Sequence, residues 1–327
     1  MKFVSNQNIT DPRTNLAIEE YLLRHISSED ELLLFYINEP SVIIGRNQNS
    51  IEEVDPSYIE EQGVHVVRRL SGGGAVYHDL GNLNFSYISN AAENLHNYEH
   101  FIQPVINRLN QLGVPAKLIG KSDVFVEGRK ISGNAQYASR GRMVSHGTIL
   151  FDTSIKNMIQ ALNPRQAVIE SAAVQSVRNF VTNVKEYVGG DFKIERLRNE
   201  LIEEIFGTGT PAELELTSAD WEQIGQIRAD RFGNWGWNYG RAPKFNIQKT
   251  GEFPAGKLDV RINVNKGLID SIRFFGTYAF LKEVDELQSD LVGTQYEAQA
   301  IEAALEPVDL TEYFQDIPAE ELKKLLI

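Results

Sequence analysis

The sequence of 327 residues predicts an α+β protein in two parts, a larger one followed by a smaller one. Two observations carry this prediction. Strand-like runs with glycine turns between them recur in the middle of the chain, around Glu127-Gly128-Arg129 and Ser139-Arg140-Gly141. The pattern then changes near Pro243, after which three further strand-like runs and short helices follow in an acidic segment.

The first expected element is an amphipathic helix from Asp11 to Ile26. Asp11 suits the N-cap, Pro12 suits the first helical position, and Ile18, Leu22 and Ile26 recur on one face. Short strands are expected after it, at residues 31–37, 41–44, 64–69, 75–78 and 82–88. The last of these alternates polar and apolar residues, which predicts a strand with one exposed face.

A helix is expected to run to about residue 112, in which Pro104 must either lie in the first turn or kink the helix; a start shortly before Pro104 is favoured, since proline is tolerated in a first turn. The two glycine turns then join three antiparallel strands at residues 123–126, 130–138 and 143–151. Residues 154–242 are expected to be mainly helical, with segments at 158–162, 191–206 and 218–229. A β-meander at 245–252, 257–263 and 268–274 and short helices from residue 281 complete the chain, which predicts domains at 1–243 and 244–327.

The charge balance excludes some classes of partner. Lys and Arg total 32 against 45 Asp and Glu, a net charge of −13, which repels nucleic acid and anionic membranes. From Glu252 to Ile327 there are 15 acidic and 7 basic residues, so the difference of −8 is more than half of the total. No signal peptide and no apolar run of membrane-spanning length is visible, so we expect a cytoplasmic protein without membrane or nucleic-acid partners.

The absence of cysteine is equally restrictive. With 0 Cys, the sequence excludes disulfide frameworks, thiolate metal sites and any mechanism with a cysteine nucleophile. Covalent chemistry must therefore use another residue or the substrates themselves.

The most unusual stretch is Arg68-Arg69-Leu70-Ser71-Gly72-Gly73-Gly74-Ala75-Val76-Tyr77-His78-Asp79. Three glycines between two strands let a ligand approach the backbone, and their N–H groups can point at an anion. The two arginines add positive charge suited to phosphate or carboxylate. The block is neither a Walker A loop nor a dinucleotide fingerprint, and a flexible hairpin turn remains the alternative.

A second cluster surrounds Lys130. The sequences Lys121-Ser122-Asp123, Gly128-Arg129-Lys130-Ile131-Ser132-Gly133-Asn134-Ala135 and Ser145-His146-Gly147-Thr148 fall in a segment with six basic and two acidic residues, a local excess of +4. A lysine beside small residues can neutralise both a carboxylate and a phosphoryl oxygen as one attacks the other. A solvated hairpin lysine is the alternative.

Two other motifs give only weak evidence for a functional site. His96-Asn97-Tyr98-Glu99-His100 matches an inverted zinc-peptidase pattern, but its position at a helix start and the lack of a third ligand argue against a site. The aromatic stretch Asn234-Trp235-Gly236-Trp237-Asn238-Tyr239-Gly240 is interpreted as an anchor before the domain boundary, with a ligand platform as the alternative.

The glycine block, the Gly-Arg-Lys-Ile-Ser-Gly-Asn-Ala block, Ser-His-Gly-Thr-Ile-Leu and the segment from Ser171 to Asn183 together resemble lipoate–protein ligases of the LplA type, over nearly the whole chain. The resemblance implies a mixed and antiparallel sheet flanked by helices, as in biotin ligases and class II aminoacyl-tRNA synthetases, plus a small α+β accessory domain. It also implies activation of lipoate by Mg-ATP to lipoyl-AMP, followed by transfer to an acceptor lysine. That chemistry needs no enzyme nucleophile, whereas the related cysteine-dependent transferases do.

Matching the motifs position by position implies roles for individual residues. Lys130 would contact the lipoyl carboxyl and the phosphate, Arg69 would contact phosphate, and Asp123 would hold Mg²⁺ or orient the incoming amine. The residues implied in binding ATP or lipoyl-AMP are Arg69, Gly72, Gly73, Gly74, Ala75, Val76, Tyr77, His78, Lys130, Ser132, Gly133 and His146. An apolar slot for the lipoyl tail is expected at Val42, Ile43, Ile44 and Gly45.

Several alternatives stay open at this point. The expected acceptors are lipoyl domains of 2-oxoacid dehydrogenase E2 subunits, the glycine-cleavage H protein, or both, and the expected state is a monomer. A relative acting on octanoate or biotin is possible, although the Gly-Arg-Gly-Arg loop of biotin ligases is absent. A non-catalytic module that binds a lipoyl group or an acceptor is the third reading, against which Arg69 and Lys130 both argue.

Overall fold

A computed structural model of the chain describes residues 1–26, 31–162, 180–239, 246–265, 267–296, 298–314 and 317–326. Its strands in chain order are β1 (Lys2–Val4), β2 (Leu32–Ile37), β3 (Ser41–Ile44), β4 (His65–Arg68), β5 (Val76–His78), β6 (Asn82–Asn90), β7 (Ala116–Ile119), β8 (Asp123–Val126), β9 (Arg129–Ser139), β10 (Arg142–Leu150), β11 (Ile247–Phe253), β12 (Gly256–Asn265) and β13 (Leu268–Gly276).

The α-helices in the same part of the chain are α1 (Pro12–His25), α2 (Ser50–Glu53), α3 (Pro56–Gln62), α4 (Ala91–Asn94), α5 (Tyr98–Gln111), α6 (Ile155–Ala161), α7 (Lys185–Val188), α8 (Ile194–Phe206), α9 (Ser218–Ile227), α10 (Trp235–Asn238), α11 (Asp285–Leu291), α12 (Ala298–Leu305) and α13 (Ala319–Leu326). A π-helical turn at Arg228–Phe232 extends α9, and Leu310–Glu312 form a 3₁₀ turn. None of the described helices has the length and apolar character needed to cross a membrane.

A seven-stranded sheet in the order β1-β2-β6-β10-β9-β8-β7 forms the centre of the larger part. The β1–β2 pair is parallel and the other pairs are antiparallel. A small sheet, β4-β3-β5, lies in the same part of the chain, and β11-β12-β13 form a third sheet. The predicted α+β class, with mixed and antiparallel sheets, is confirmed.

The two predicted hairpins form at the glycine turns. Glu127 and Gly128 have φ of 51° and 80°, and Arg140 and Gly141 have φ of 53° and 80°. Two successive residues with positive φ give the tight turn that matches the twist of paired strands. These turns fix the register of β8, β9 and β10, and so determine which side chains share a face.

Two local predictions are wrong. Strand β6 is buried on both faces, although its alternation predicted a half-exposed strand, because its polar residues Asn84 and Ser86 face other buried polar groups instead of water. Pro104 lies in the interior of α5, beyond the first turn, because the helix begins at Tyr98. The surrounding helix buries five apolar side chains, and this packing offsets the hydrogen bond that proline lacks.

Hydrophobic packing covers both faces of the central sheet. One core contains Phe35 and Phe85 from the sheet together with apolar residues of α5 and α8. The other contains Leu34 and Ile88 together with α1 and α9. The sheet therefore forms the middle of three layers, and the strand positions next to α1 become buried.

The C-terminal meander has a core of its own, formed by its strands together with α11, α12 and α13. It contacts the larger part through polar groups. The Nη2 of Arg46 lies 2.9 Å from both a Glu283 and an Asp285 carboxylate oxygen, and the Gly276 N–H donates to the Asn47 carbonyl at 3.0 Å. The hydroxyl of Tyr137 also bonds Glu283.

Helix α1 is anchored at its N-cap residue, Asp11. Asp11 accepts from Arg13 Nε at 2.8 Å, Thr14 Oγ1 at 2.9 Å and Arg228 Nε at 2.8 Å. Burial raises the pKa of Asp11, but the bonds from Arg13, Arg228 and Thr14 outweigh this and lower the pKa from 3.8 to about 2. The carboxylate therefore stabilises the fold above pH about 4, and this contribution is lost as the pH falls through about 2.

Replacing Asp11 with Asn should therefore reduce the free energy of unfolding in a pH-dependent way. We expect a loss of about 1 kcal/mol at pH 7, allowing for solvent screening, which shrinks as the pH approaches about 3. Urea titrations at both pH values measure it. Asp55→Asn is the control, because Asp55 also caps a helix that begins with proline. A loss that is equal at both pH values would contradict the assignment.

Candidate active site

A cavity of about 310 Å³ lies between the central sheet, helix α1 and the glycine block. Its volume is within the range of small-molecule sites. The lining residues are Leu16, Tyr36, Ile43, Arg69, Gly73, Gly74, Ala75, Val76, His78, Asn84, Ser122, Asp123, Lys130, Gly133, Asn134, Ala135, His146, Gly147 and Thr148. Most of the residues predicted from the two sequence clusters are therefore brought together.

Lys130 and Asp123 form the charged end of this cavity. The Lys130 ammonium donates to Asp123 Oδ2 at 2.8 Å, and both side chains are about one-third exposed. Gly133 leaves room for this pair, because a β-carbon there would lie 3.2 Å from Lys130 Nζ. An ammonium in this position can be shared with an incoming anion without first being freed from a buried bond.

The glycine block forms the wall opposite the sheet. Gly73 has φ of +89°, and its carbonyl oxygen would lie 1.9 Å from a β-carbon at Gly45. Two backbone segments therefore touch at a point where no side chain fits. Gly72 lines a neighbouring cavity of about 470 Å³, formed with Thr277, Phe280 and other C-terminal residues.

Arg69 holds the glycine block in shape. It is 7% exposed, and its guanidinium donates to Ser71 Oγ at 2.9 Å and to the carbonyls of Ile43, Gly72 and Gly74 at 2.5–3.1 Å. Burial lowers the pKa of Arg69 from 12.5 to about 10, so it remains a cation at neutral pH. Contact between Arg69 and phosphate stays a prediction; the described bonds go to the protein.

The interpretation of Arg68 as a ligand for an anion is wrong. Neighbouring residues of a strand point to opposite faces, so Arg68 turns away from the cavity and is 1% exposed. Its guanidinium bonds the carbonyls of Gly45, Arg46 and Gln48 and the Ser50 hydroxyl. Arg68 therefore fixes the loop after β3.

A buried relay connects Arg69 to helix α1. His146 Nε2 lies 2.7 Å from Ser71 Oγ, and its Nδ1 lies 3.1 Å from Glu19. Burial raises the pKa of Glu19, but His146 and the bonding hydroxyls outweigh this and hold it below its usual 4.5. Glu19 is thus a buried anion that is linked to Arg69 by hydrogen bonds through His146 and Ser71.

Three of the residues implied in nucleotide binding, Gly72, Tyr77 and Ser132, do not line this cavity, and neither do Val42, Ile44 and Gly45 of the expected apolar slot. Tyr77 points to the opposite face of β5, where it packs with Val42 and Ile44 in a separate apolar cluster. Of the expected apolar slot, Ile43 faces the cavity. Ser132 is buried beside Asn134, to which its hydroxyl is bonded at 3.2 Å. The period of two along a strand accounts for Tyr77, Val42 and Ile44.

Sequence reasoning missed Leu16, Glu19, Tyr36 and Asn84. The burial of Glu19 could have been predicted, because this residue falls within the apolar stripe of α1 next to Ile18 and Leu22. A charged residue in such a stripe must be paired if it is buried. Asn84 was missed because it lies on the face of β6 that was predicted to be exposed to solvent but is buried.

The motif at Ser171 to Asn183 lies mostly outside the described residues, which begin again at residue 180. Its end is fixed beside the charged pair, since Thr182 N donates to the Lys130 carbonyl at 3.1 Å. Asn183 exchanges two hydrogen bonds of 3.0 Å with the Thr153 backbone. This segment supports the strand that carries Lys130.

No group of three or more His, Asp or Glu side chains that could hold a metal occurs among the described residues. His96, from the zinc-like motif, has φ of 67° and precedes α5, so it does not share a helix face with His100.

Comparison with known families identifies the class of protein. Residues 11–206 match the family model described as the lipoyl protein ligase A/B catalytic domain, and residues 242–326 match the bacterial lipoate protein ligase C-terminus. The chain is 48% identical to the lipoate-protein ligase LplJ of Bacillus subtilis, and 43% identical to lipoate–protein ligase 1 of Staphylococcus aureus, over 100% of each chain.

Solved structures agree with these matches. The Plasmodium falciparum protein LipL1, solved in complex with lipoate, has a TM-score of 0.81 at 25% identity, with 99% of this chain and 98% of that one covered. A lipoate-protein ligase A bound with ATP has a TM-score of 0.60 at 29% identity, over 73% and 97%. The bipartite ligase of Thermoplasma acidophilum, studied with its E2 lipoyl domain, has a TM-score of 0.67 at 29% identity, over 75% and 98%. The chain belongs to the lipoate–protein ligase family and is an enzyme of the ligase class.

The contact between Gly45 and Gly73 generates a test of the cavity wall. Gly45→Ala should lower the free energy of unfolding by about 1–3 kcal/mol, because the new methyl group must displace the Gly73 carbonyl. Guanidinium denaturation measures the change.

Gly225→Ala in α9 is the matched control, because a β-carbon there meets nothing within 4 Å. It should stabilise the protein slightly, since alanine favours a helix over glycine. Equal stability of Gly45→Ala and the parent protein would refute the close contact.

Proposed function

We propose that the chain activates lipoate with ATP to lipoyl-AMP and then transfers the lipoyl group to a lysine of an acceptor protein. The observation that carries this proposal is the Lys130–Asp123 pair, which lies at one end of a cavity that continues across the sheet to Tyr36. A carboxylate bound at Lys130 would extend its acyl chain along that cavity. The relatives described above support the same chemistry.

In the first step, a carboxylate oxygen of lipoate forms a bond to the α-phosphorus of ATP, and the bond from that phosphorus to pyrophosphate breaks. Both reactants are anions, so their approach needs a cation that touches both. Lys130 supplies this charge and keeps it in the transition state, where the negative charge is concentrated. The N–H groups of the glycine block would donate to the phosphate in this step.

In the second step, the neutral amine of an acceptor lysine attacks the lipoyl carbonyl, an amide forms, and AMP leaves. The amine must lose protons during this attack. Asp123 is the carboxylate that lines the cavity, and it can accept a proton or orient the amine. No enzyme nucleophile is required, which fits a chain with 0 Cys.

The residues present fit a magnesium ion that accompanies ATP. Mg²⁺ commonly uses one or two carboxylates together with phosphate oxygens and water. Asp123, which lines the cavity, would be such a ligand, and no three-residue protein cage is found in the described part of the chain. When bound, Mg²⁺ would neutralise phosphate charge.

The acceptor, location and domain boundary are also part of the proposal. We assign lipoyl domains of 2-oxoacid dehydrogenase E2 subunits and the glycine-cleavage H protein as acceptors, a cytoplasmic location and a monomeric enzyme. The boundary is placed between residues 243 and 244, which is supported by the separate core of the C-terminal meander. Mass spectrometry of each purified acceptor after incubation with lipoate and Mg-ATP tests the acceptor assignment.

An enzyme of this family that acts mainly on octanoate is the alternative. Competition among lipoate, octanoate and biotin in acyl-AMP formation distinguishes the substrates. Absence of any acyl-AMP with Mg-ATP present would contradict the proposed function.

Lys130→Gln should lower the rate of lipoyl-AMP formation by at least about 100-fold, because the amide cannot supply the positive charge that offsets the two anions. The two half-reactions are assayed separately, with labelled lipoate for the first and purified lipoyl-AMP for the second.

Lys185→Gln is the matched control. Lys185 also pairs with an aspartate, Asp152, but at the surface and outside the cavity. It should leave both half-reactions unchanged. Normal lipoyl-AMP formation by Lys130→Gln would show that Lys130 is not the activating group.

A further inference from the structure

One buried nitrogen in the cavity has no partner. His78 lines the cavity and is 4% exposed, yet its Nε2 makes no hydrogen bond. A buried polar group without a partner is costly, and in native proteins it requires an explanation. The ring itself is firmly held, because its Nδ1 lies 3.0 Å from Asn38 Nδ2.

A chain of buried asparagines determines which nitrogen of His78 carries the proton. The Asn8 N–H donates to Asn6 Oδ1 at 3.1 Å, so Asn6 Nδ2 is the donor to Asn15 Oδ1 at 2.9 Å. Asn15 Nδ2 in turn donates to Asn38 Oδ1 at 2.8 Å, which leaves the amide nitrogen of Asn38 facing His78.

Because Asn38 donates to Nδ1, that nitrogen must accept, and a neutral imidazole then carries its proton on Nε2. Burial, with Arg69 nearby, lowers the pKa of His78 to about 3, which keeps the ring neutral. The unpartnered atom is therefore an N–H donor of fixed position.

The position of His78 is at the end of the cavity far from Lys130. Tyr36 of β2 pairs with Asn84 of β6, Asn84 pairs with Thr148 of β10, and β10 pairs with β9, which carries Lys130. Three strand spacings separate β9 from β2, or roughly 14 Å. Asn38 directly follows β2, so the histidine it holds is at the β2 end, where the tail of an acyl chain would lie.

The other polar side chains at that end are satisfied within the protein. The Tyr36 hydroxyl donates to Glu19 at 2.9 Å, Asn84 is bonded by Asn82 and to the Tyr36 carbonyl, and both nitrogens of His146 have partners. Among the described side chains that line this end, His78 thus offers the donor without a partner.

We propose that His78 Nε2–H recognises a sulfur atom of the dithiolane ring and so favours lipoate over octanoate. The proposal rests on the proposed function and adds the group that selects the tail. Thioether and disulfide sulfur are weak acceptors, so they can satisfy a buried donor, whereas a hydrocarbon tail leaves it unpaired. The preference for lipoate therefore arises mainly because binding of octanoate would leave the buried His78 N–H without a hydrogen bond.

The test separates sulfur from shape by comparing lipoate with 5-cyclopentylpentanoate, which has the same chain and a ring of the same size without sulfur. The ratio of kcat/KM for acyl-AMP formation is measured for these two acids and octanoate. We expect the parent protein to favour lipoate over the carbocyclic acid by about 3- to 10-fold.

Variants of His78 should change that ratio in a predictable way. His78→Leu should reduce it to near unity, and His78→Gln, whose amide can present an N–H close to the Nε2 position, should restore part of it. His65→Leu is the matched control, because His65 pairs with Glu39 outside the cavity. It should keep the parent ratio.

A second measurement does not depend on the variants folding. In ¹⁵N-histidine-labelled protein, the nitrogen shifts of His78 should report a neutral ring protonated at Nε2, and the Nε2 resonance should move more with lipoate than with 5-cyclopentylpentanoate.

A parent ratio near unity, a proton on Nδ1, or an unchanged ratio in folded His78→Leu would each overturn the proposal. Failure of the proposed function looks different, because none of the three acids would then form an acyl-AMP.

Discussion

The buried guanidinium of Arg69 is the interaction on which the rest of the site depends. It gathers the carbonyls of Ile43, Gly72 and Gly74, and so converts a run of glycines into a wall of defined shape. Glycine otherwise favours many conformations, and its freedom opposes a fixed loop. The cation is kept charged in a buried place by Glu19, which it reaches through Ser71 and His146. Loop, helix α1 and central sheet are thus joined by a single polar network.

This arrangement assigns the charges of the site to two separate tasks. Charge for structure is buried at Arg68 and Arg69, while charge for chemistry is half-exposed at Lys130 and Asp123. A fully bonded guanidinium cannot easily release its partners, whereas an ammonium with one surface-facing carboxylate can. The cavity therefore combines a rigid frame with a partly exposed Lys130–Asp123 pair whose ammonium can also contact a substrate.

Much of the fold follows from local sequence, and the failures have physical causes. The hairpins around Gly128 and Gly141 were predictable, because positive φ at turn residues is a local property. The Gly-rich and Lys130 blocks were correctly placed at one site, since the resemblance joined them. The exposure of β6 and the direction of Tyr77 were not predictable, because both depend on which strands lie beside them. His78 was expected in the site, but its asparagine chain spans distant residues that no local pattern connects.

Glycine residues, which lack side chains, shape part of the wall of the cavity. At Gly45, Gly133 and Gly147 a β-carbon would meet the Gly73 carbonyl, the Lys130 ammonium, or Asn134 and Phe85. Alanine at Gly45 or Gly147 would lie 1.9 Å from its nearest neighbour and force that atom to move, whereas at Gly133 the flexible Lys130 side chain would have to shift by a few tenths of an ångström. Substitutions that change the substrate range should therefore occur at side chains that already face the cavity, such as Ile43 and Val76. The backbone around them should stay the same.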